Sequence, residues 1–323
     1  MTNFAGALNQ ALRDAMADDD RVLTFGLDVG ANGGVFRVTD GLTAQFGQRR
    51  CFDTPLSESG IVGCAVGMAM NGLLPVIEIQ FDAFAYPAFE QITSHVAKMR
   101  ARTRGRVSLP MVIRIPYGGG IGAVEHHSDS SEAYYTHTPG LTVVTPSTVA
   151  DAYSLLREAI DHPDPVIFLE PKRLYWTKDD TPIPRRTKPF GKAVIRRRGT
   201  TATLITYGPG VEVALDAADQ ATAAGWNLEV IDVRTLVPLD VDTLAGSIRR
   251  TGRAVIVHEA AGFGGYGAEL AARLTEACFY HLEAPIRRVT GIDAPYPAPR
   301  LEEHYLPDTD RVLTAVHSLN EYA

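Results

Sequence analysis

Gly60-Ile-Val-Gly-Cys-Ala-Val-Gly-Met-Ala-Met-Asn-Gly-Leu-Leu-Pro-Val-Ile-Glu-Ile79 is the longest apolar run in the chain, and its reading decides the fold. Taken whole, it has the length of a membrane span. Asn71, Gly72, Pro75 and Glu78 interrupt it, so it reads instead as a helix, a turn and a strand. The same alternation extends in both directions. Val22–Leu27, Leu74–Ile79, Met111–Ile115, Leu141–Thr145 and Val166–Leu169 are short apolar runs of strand length. Helical patterns lie near 59–72, 84–100 and 148–161. Phe4, Leu8, Ala11, Leu12 and Ala15 mark an amphipathic first helix over 3–17. Apolar strands alternating with helices predict an α/β fold with a parallel sheet covered on both faces.

Thr177 to Pro189 is polar, has three prolines and no periodicity, and reads as a linker. Beyond it the alternation restarts, with strands at Ala202–Tyr207, Leu228–Val233 and Ala254–His258 and helices at Val211–Ala224, Val241–Arg250 and Tyr266–Cys278. Two parallel-sheet domains are therefore expected, over 1–180 and 190–323, a division that suits a chain of 323 residues.

Composition narrows the function. A hydrophobic content of 45% and a charged content of 21% are those of a globular protein. A net charge of −7 argues against nucleic acid or a membrane surface as the main partner. The three cysteines, Cys51, Cys64 and Cys278, form neither an even disulfide framework nor a metal spacing, which points to a reducing compartment. The segment after Met1 resembles neither a signal nor a transit peptide, so a bacterial cytoplasmic location is expected ahead of the mitochondrial matrix.

Candidate chemistry begins at Thr54-Pro-Leu-Ser-Glu-Ser-Gly-Ile-Val-Gly63, where Glu58 opens the glycine-rich helix. Two readings stand. An acid in a first turn is favourable by roughly 0.3–1 kcal/mol. Flanking Pro55, Leu56, Ile61 and Val62 instead suggest burial, which raises a carboxyl pKa and suits proton sharing with a ligand nitrogen. Gly60, Gly63, Gly67 and Gly72 cost about 1 kcal/mol each relative to alanine, so close packing must offset them. That packing is either within this chain or against another helix.

Tyr117-Gly-Gly-Gly-Ile-Gly-Ala-Val-Glu-His-His-Ser-Asp129 follows a strand, where open α/β sheets place their sites. His126 and His127 are adjacent and cannot both face one metal, so a histidine acting on substrate protons is the better reading and no metal site is expected there. Gly208-Pro-Gly210 reads as a strand-to-helix turn, and His258-Glu-Ala-Ala-Gly-Phe-Gly-Gly265, which follows a strand, as a segment facing a partner or a cavity. Arg196–Arg198, Arg249, Arg250, Arg287 and Arg288 read as solvated faces.

Several segments together resemble one family. Asp28-Val-Gly-Ala-Asn-Gly-Gly-Val-Phe-Arg37, the Glu58 segment, Glu78-Ile-Gln-Phe81 with Tyr86–Ile92, His127–His137, Pro163–Lys172 and Val257-His-Glu-Ala260 are similar to the beta subunits of thiamine-diphosphate-dependent 2-oxo acid dehydrogenases. The resemblance runs in order along nearly the whole chain. Glu78–Phe81 and Glu170-Pro-Lys-Arg-Leu-Tyr175 resemble the branched-chain type most, with pyruvate and acetoin relatives as alternatives.

The resemblance implies a pyrimidine-binding thiamine-diphosphate domain followed by a transketolase C-terminal-like domain. It implies an alpha2-beta2 heterotetramer that decarboxylates 3-methyl-2-oxobutanoate and reductively acylates a lipoyl domain of a dihydrolipoyl acyltransferase core. The Gly-Asp-Gly…Asn motif that grips Mg2+ and the diphosphate is missing here, so the alpha subunit would supply it. Glu58 matches the glutamate that hydrogen-bonds the aminopyrimidine nitrogen, Phe84 an aromatic residue that packs on that ring, and Gln80 a residue lining the same region. His127 matches a histidine at the channel mouth that assists acyl transfer. Relatives hold K+ through an acid and an amide near Ile160–Asp164. His162 stands in the acid's place, so only backbone carbonyls near Ile160 and the Asp164 side chain are left to contribute to a weak cation site. A non-catalytic scaffold subunit is the rival of a different class.

Overall fold

The computed structural model describes residues 2–180, 182–184 and 187–322. In chain order the first strands are β1 Thr2–Asn3, β2 Val22–Gly26, β3 Cys51–Asp53, β4 Leu74–Glu78, β5 Val112–Tyr117, β6 Thr142–Val144, β7 Val166–Pro171 and β8 Lys178–Asp179. They are followed by β9 Val194–Arg197, β10 Ala202–Thr206, β11 Leu228–Asp232, β12 Thr235–Val237, β13 Ala254–Ala261 and β14 Arg287–Gly291. Among the described residues one sheet has seven strands, ordered β12-β6-β7-β5-β4-β2-β3, and a second has five, ordered β14-β13-β10-β11-β9. All pairings are parallel except those of the edge strands β12 and β9 and the short β1–β8 pair. The central strands β5, β7, β10 and β11 are buried along their whole length, as helices on both faces require.

The expected first helix forms at Phe4–Asp18, capped by the Asn3 side chain, and buries the predicted Phe4, Leu8, Ala11, Leu12 and Ala15. The expected helix over 84–100 does not form as one piece. It is a 3-10 turn at Asp82–Ala88, a π turn at Gln91–Val96 and a short helix at Met99–Arg102. Pro87 lies inside the first turn and has no N–H to donate, which breaks the ladder.

The linker segment is partly ordered. Lys178–Asp179 pairs with Thr2–Asn3, and the Thr187 hydroxyl accepts a hydrogen bond from Arg234 at 2.6 Å. Thr181, Arg185 and Arg186 of that segment lie outside the described residues.

The halves of the chain are joined through side chains and through β12. This strand follows β11 of the second sheet yet pairs with β6 of the first. One apolar cluster runs from Phe25 and Ile113 through Tyr117 and Tyr135 to Tyr207, Ile231 and Ile256. Arg196 is not a solvated face. Its guanidinium pairs with Asp232 at 2.7 Å and with Asp151, and Arg234 reaches the other Asp151 oxygen at 2.6 Å. Asp151 belongs to a helix of the first half, so this buried network ties the two halves together.

Candidate active site

The loops that leave the carboxyl ends of β2, β4 and β5 lie side by side because their strands are neighbours in the sheet. After β2, Asp28 adopts a left-handed backbone (φ 60°) and turns the chain sharply. Gln80, just beyond β4, donates from Nε2 to Asp28 Oδ2 at 2.9 Å and to the Leu27 carbonyl at 3.3 Å. On the other side Asp53 accepts the Gly30 and Ala31 N–H groups at 2.6 and 3.0 Å. The 28–34 loop is thus fastened to both neighbouring strands.

An aromatic corner follows. The ring of Phe81 meets His127 edge-on with centroids 4.2 Å apart, and Phe84 meets His127 at 5.3 Å. Phe36 closes the far side of Phe81 at 5.6 Å. Lys172 Nζ lies 6.0 Å from the Phe81 centroid. Lys172 is fully buried and its ammonium has no hydrogen-bond partner. Partial burial, helped by the charges of His126 and Lys172, holds the His127 imidazole below its ordinary value. The structure therefore brings Phe84 and His127 to one corner, while the Gln80 amide is engaged by the Asp28 loop.

Glu58 is the first residue of the Glu58–Met70 helix, which packs on the 82–88 turn. Its carboxylate makes no hydrogen bond or ion pair among the described residues, so it does not close its own helix end. The expected burial is corrected: Glu58 is half-buried, and Leu56 is 71% exposed. Ile61 and Val62 do point into the core, but Pro55, Ser57, Ser59 and Gly60 are exposed. Gly60, Cys64 and Gly67 form an open stripe on the same helix, and a Cβ built on Gly67 would meet nothing within 4 Å. Among the described residues nothing packs on Gly67 to offset the propensity lost there.

Beneath these loops lie buried charges. Arg114 on β5 makes a bidentate pair with Glu170 (2.7 and 2.9 Å) and reaches Glu78 at 2.8 Å, while Tyr175 donates to Glu170 at 2.6 Å. Asp82 accepts the Ser131 N–H at 2.9 Å and the Ser131 hydroxyl. Burial raises the Asp82 carboxyl and lowers the Lys172 ammonium, drawing both toward neutrality. Burial also pushes Glu132 up to about 7. Its Oε1 accepts the Tyr207 hydroxyl at 2.8 Å and its Oε2 has no partner.

Of the His258–Gly265 segment, Glu259–Ala261 and Phe263–Gly265 line a cavity together with Asp129 and Tyr296, whereas His258 lies in the interior. It is buried on Tyr207 with both ring nitrogens unpartnered, and burial pushes it down to about 4. Near Ile160 the Asp164 carboxylate is paired with Arg100, and its backbone is tied to the His162 ring. An arginine on that carboxylate competes with a cation there. Among the described residues no cluster of three or more histidine, cysteine, aspartate or glutamate side chains could hold a metal, and no helix is long and apolar enough to cross a membrane.

The transketolase pyrimidine-binding domain family matches residues 1–177, and the transketolase C-terminal domain family matches 191–312. The 3-methyl-2-oxobutanoate dehydrogenase subunit beta of Mycobacterium tuberculosis is 58% identical over 311 residues, covering 96% of this chain and 89% of the relative. The chain belongs to the family of 2-oxo acid dehydrogenase beta subunits. The pyruvate dehydrogenase E1 component subunit beta of Leifsonia xyli is 51% identical, covering 96% of this chain and 92% of that relative. The 2-oxoisovalerate dehydrogenase subunit beta of Pseudomonas aeruginosa is 47% identical, covering 97% and 94%. A split-gene transketolase described as an inactive beta4 tetramer shares the fold with a TM-score of 0.81 at 22% identity, over 98% of this chain and 97% of that one.

The individual roles of Asp28, Asp53, Asp82, Arg114, Glu132 and Lys172 in this beta subunit escaped the sequence reading. One signal was available. Glu78, Arg114 and Glu170 are single charges within apolar strands, and a charge inside a buried run needs a partner on the next strand.

Proposed function

We propose that this chain is the beta subunit of a branched-chain 2-oxo acid dehydrogenase and contributes half of a thiamine-diphosphate site. The observation that carries the proposal is an unpaired carboxylate, Glu58, at a helix start flanked by an open small-residue stripe. It sits on a chain 58% identical to a 3-methyl-2-oxobutanoate dehydrogenase beta subunit. The residues present fit the pyrimidine half of the cofactor: one free carboxylate, an aromatic wall and no grip for a diphosphate. When bound, thiamine diphosphate supplies the nucleophilic carbon and electron sink for decarboxylating a 2-oxo acid. Glu58 holds a proton against a ring nitrogen of the bound cofactor. Phe84 packs on the ring, and Gln80 keeps the Asp28 loop in place beside it. His127, kept neutral, stands ready to assist acyl transfer to a lipoyl arm.

An alpha subunit would supply Mg2+ and the diphosphate grip, packing on the Gly60–Cys64–Gly67 stripe in an alpha2-beta2 heterotetramer. The complex would dock on a lipoyl-bearing acyltransferase core. A K+ site near Ile160 and Asp164 is disfavoured by Arg100. The working division is 1–180 and 190–323, supported by the two family matches, with β12 crossing between them. The bacterial relatives support a cytoplasmic location. The test is to purify the tagged chain from its host with whatever it binds. Decarboxylation of 3-methyl-2-oxobutanoate and of pyruvate is then compared with carbon–carbon cleavage of acetoin. Faster turnover of the branched acid supports the proposal; faster turnover of pyruvate or acetoin assigns the chain to that type instead.

A further inference from the structure

The loop from Gly118 to Asp129 carries His127 and is closed at its base by the Gly118 N–H donating to the Asp129 carbonyl at 2.7 Å. Its return arm is anchored where Tyr86 donates to the Asp129 carboxylate at 2.8 Å. The outgoing arm is held differently. Gly118, Gly120 and Gly122 have φ of 80°, 85° and 69°, and this alternation turns successive N–H groups to one side. Such a nest binds an anion. Here the anions come from the second half of the chain. Glu302 accepts the Gly120 N–H at 2.8 Å on Oε1 and the Gly122 N–H at 3.1 Å on Oε2. Glu259 accepts the Gly119 N–H. Tyr296 accepts the Gly120 N–H at 3.2 Å and donates to Glu302 at 2.5 Å, which fixes the carboxylate's orientation.

We propose that Glu302 is a positioning residue for His127: its carboxylate, held by Tyr296, clamps the glycine nest and so sets where the histidine stands for acyl transfer. The inference rests on the functional reading above. A loop with so many glycines has much conformational freedom to lose, and charge-assisted bonds to its N–H groups select one conformation. The clamp touches neither Glu58 nor the aromatic corner, so it acts on the later step rather than on decarboxylation.

The test uses the complete complex with its alpha subunit. Two quantities are read: hydrogen exchange over residues 118–127, and the rate of lipoyl-domain acylation divided by decarboxylation with an artificial electron acceptor. Glu302→Ala is expected to speed exchange in that segment and to lower the ratio about tenfold or more. Glu302→Gln keeps one acceptor oxygen but loses the charge and puts a donor in place of the other oxygen, facing an N–H. It is expected to fall between the unsubstituted chain and Glu302→Ala in both readouts. If Glu302→Ala does not assemble, Tyr296→Phe is expected to shift both readouts in the same direction. Unchanged exchange, an unchanged ratio, or equal loss of both activities overturns the proposal. An unsubstituted complex that turns over no 2-oxo acid contradicts the functional reading and the acyl-transfer role with it, while the exchange result still decides the clamp.

Discussion

His127 stands edge-on to Phe81, with ring centroids 4.2 Å apart and planes 89° apart, and Lys172 Nζ lies 6.0 Å from the centroid of the same Phe81 ring. An imidazole so placed resists a second proton. Its titration, followed by NMR in the full chain, is expected to have a midpoint below the ordinary value of about 6.5. Removing a neighbouring positive charge favours the imidazolium, so Lys172→Met moves that midpoint up. An unmoved or lower midpoint would show that Lys172 does not set the charge state of His127.

Arg114 neutralises Glu78 and Glu170 in a site that water does not reach. Replacing it by methionine leaves two buried carboxylates without their cation, a change that costs roughly 3–5 kcal/mol. Denaturant unfolding of the variant reads this directly. A loss below about 1 kcal/mol would mean that the carboxylates take up protons at little cost.

Two buried groups give stability opposite slopes with pH. His258 is held near 4 in the folded chain against 6.5 unfolded. Its contribution is present above 6.5 and is lost as pH falls toward 4, by up to about 3 kcal/mol. Glu132 is raised from 4.5 to about 7. Its contribution is present below 4.5 and is lost as pH rises toward 7. In unfolding measured between pH 4.5 and 6.5 the two slopes oppose each other in the unsubstituted chain. His258→Gln is therefore expected to expose a stability that falls as pH rises, and Glu132→Gln one that falls as pH drops. Parallel curves for both variants would contradict the assignment.

Gly67 separates folding from assembly. Its position is open in this chain, so Gly67→Leu should leave the isolated chain folded and raise its stability by up to about 1 kcal/mol. The same side chain would stand in the way of a closely packed partner helix. Sedimentation of the variant mixed with the alpha subunit is expected to show unassembled chains; a normal heterotetramer would place the interface elsewhere.

The alternating strands and helices were legible because their apolar runs are buried on both faces, as at Val112–Tyr117 and Val166–Pro171. Short or edge strands were not. Cys51–Asp53 has three residues, and Val194–Arg197 and Arg287–Gly291 carry arginines on half-exposed edges. Thr235–Val237 was hidden because its partner strand, Thr142–Val144, lies in the first half of the chain. At the site, the fold sets Phe84 beside His127 and ties Gln80 to the Asp28 loop, positions that motif resemblance alone had singled out. Burial of Glu58 was misjudged because its flanking apolar residues cover it only in part within one chain. Lys172 meets Phe81, and Glu302 meets Gly120 and Gly122, across long separations in sequence that no local pattern reveals.

The most direct test of the half-site is turnover by the complex carrying Glu58→Ala, with assembly checked by sedimentation. A fully assembled complex that has lost about 100-fold or more of its thiamine-diphosphate-dependent decarboxylation is the predicted result. Intact turnover in the assembled variant would contradict it and leave this chain a scaffold.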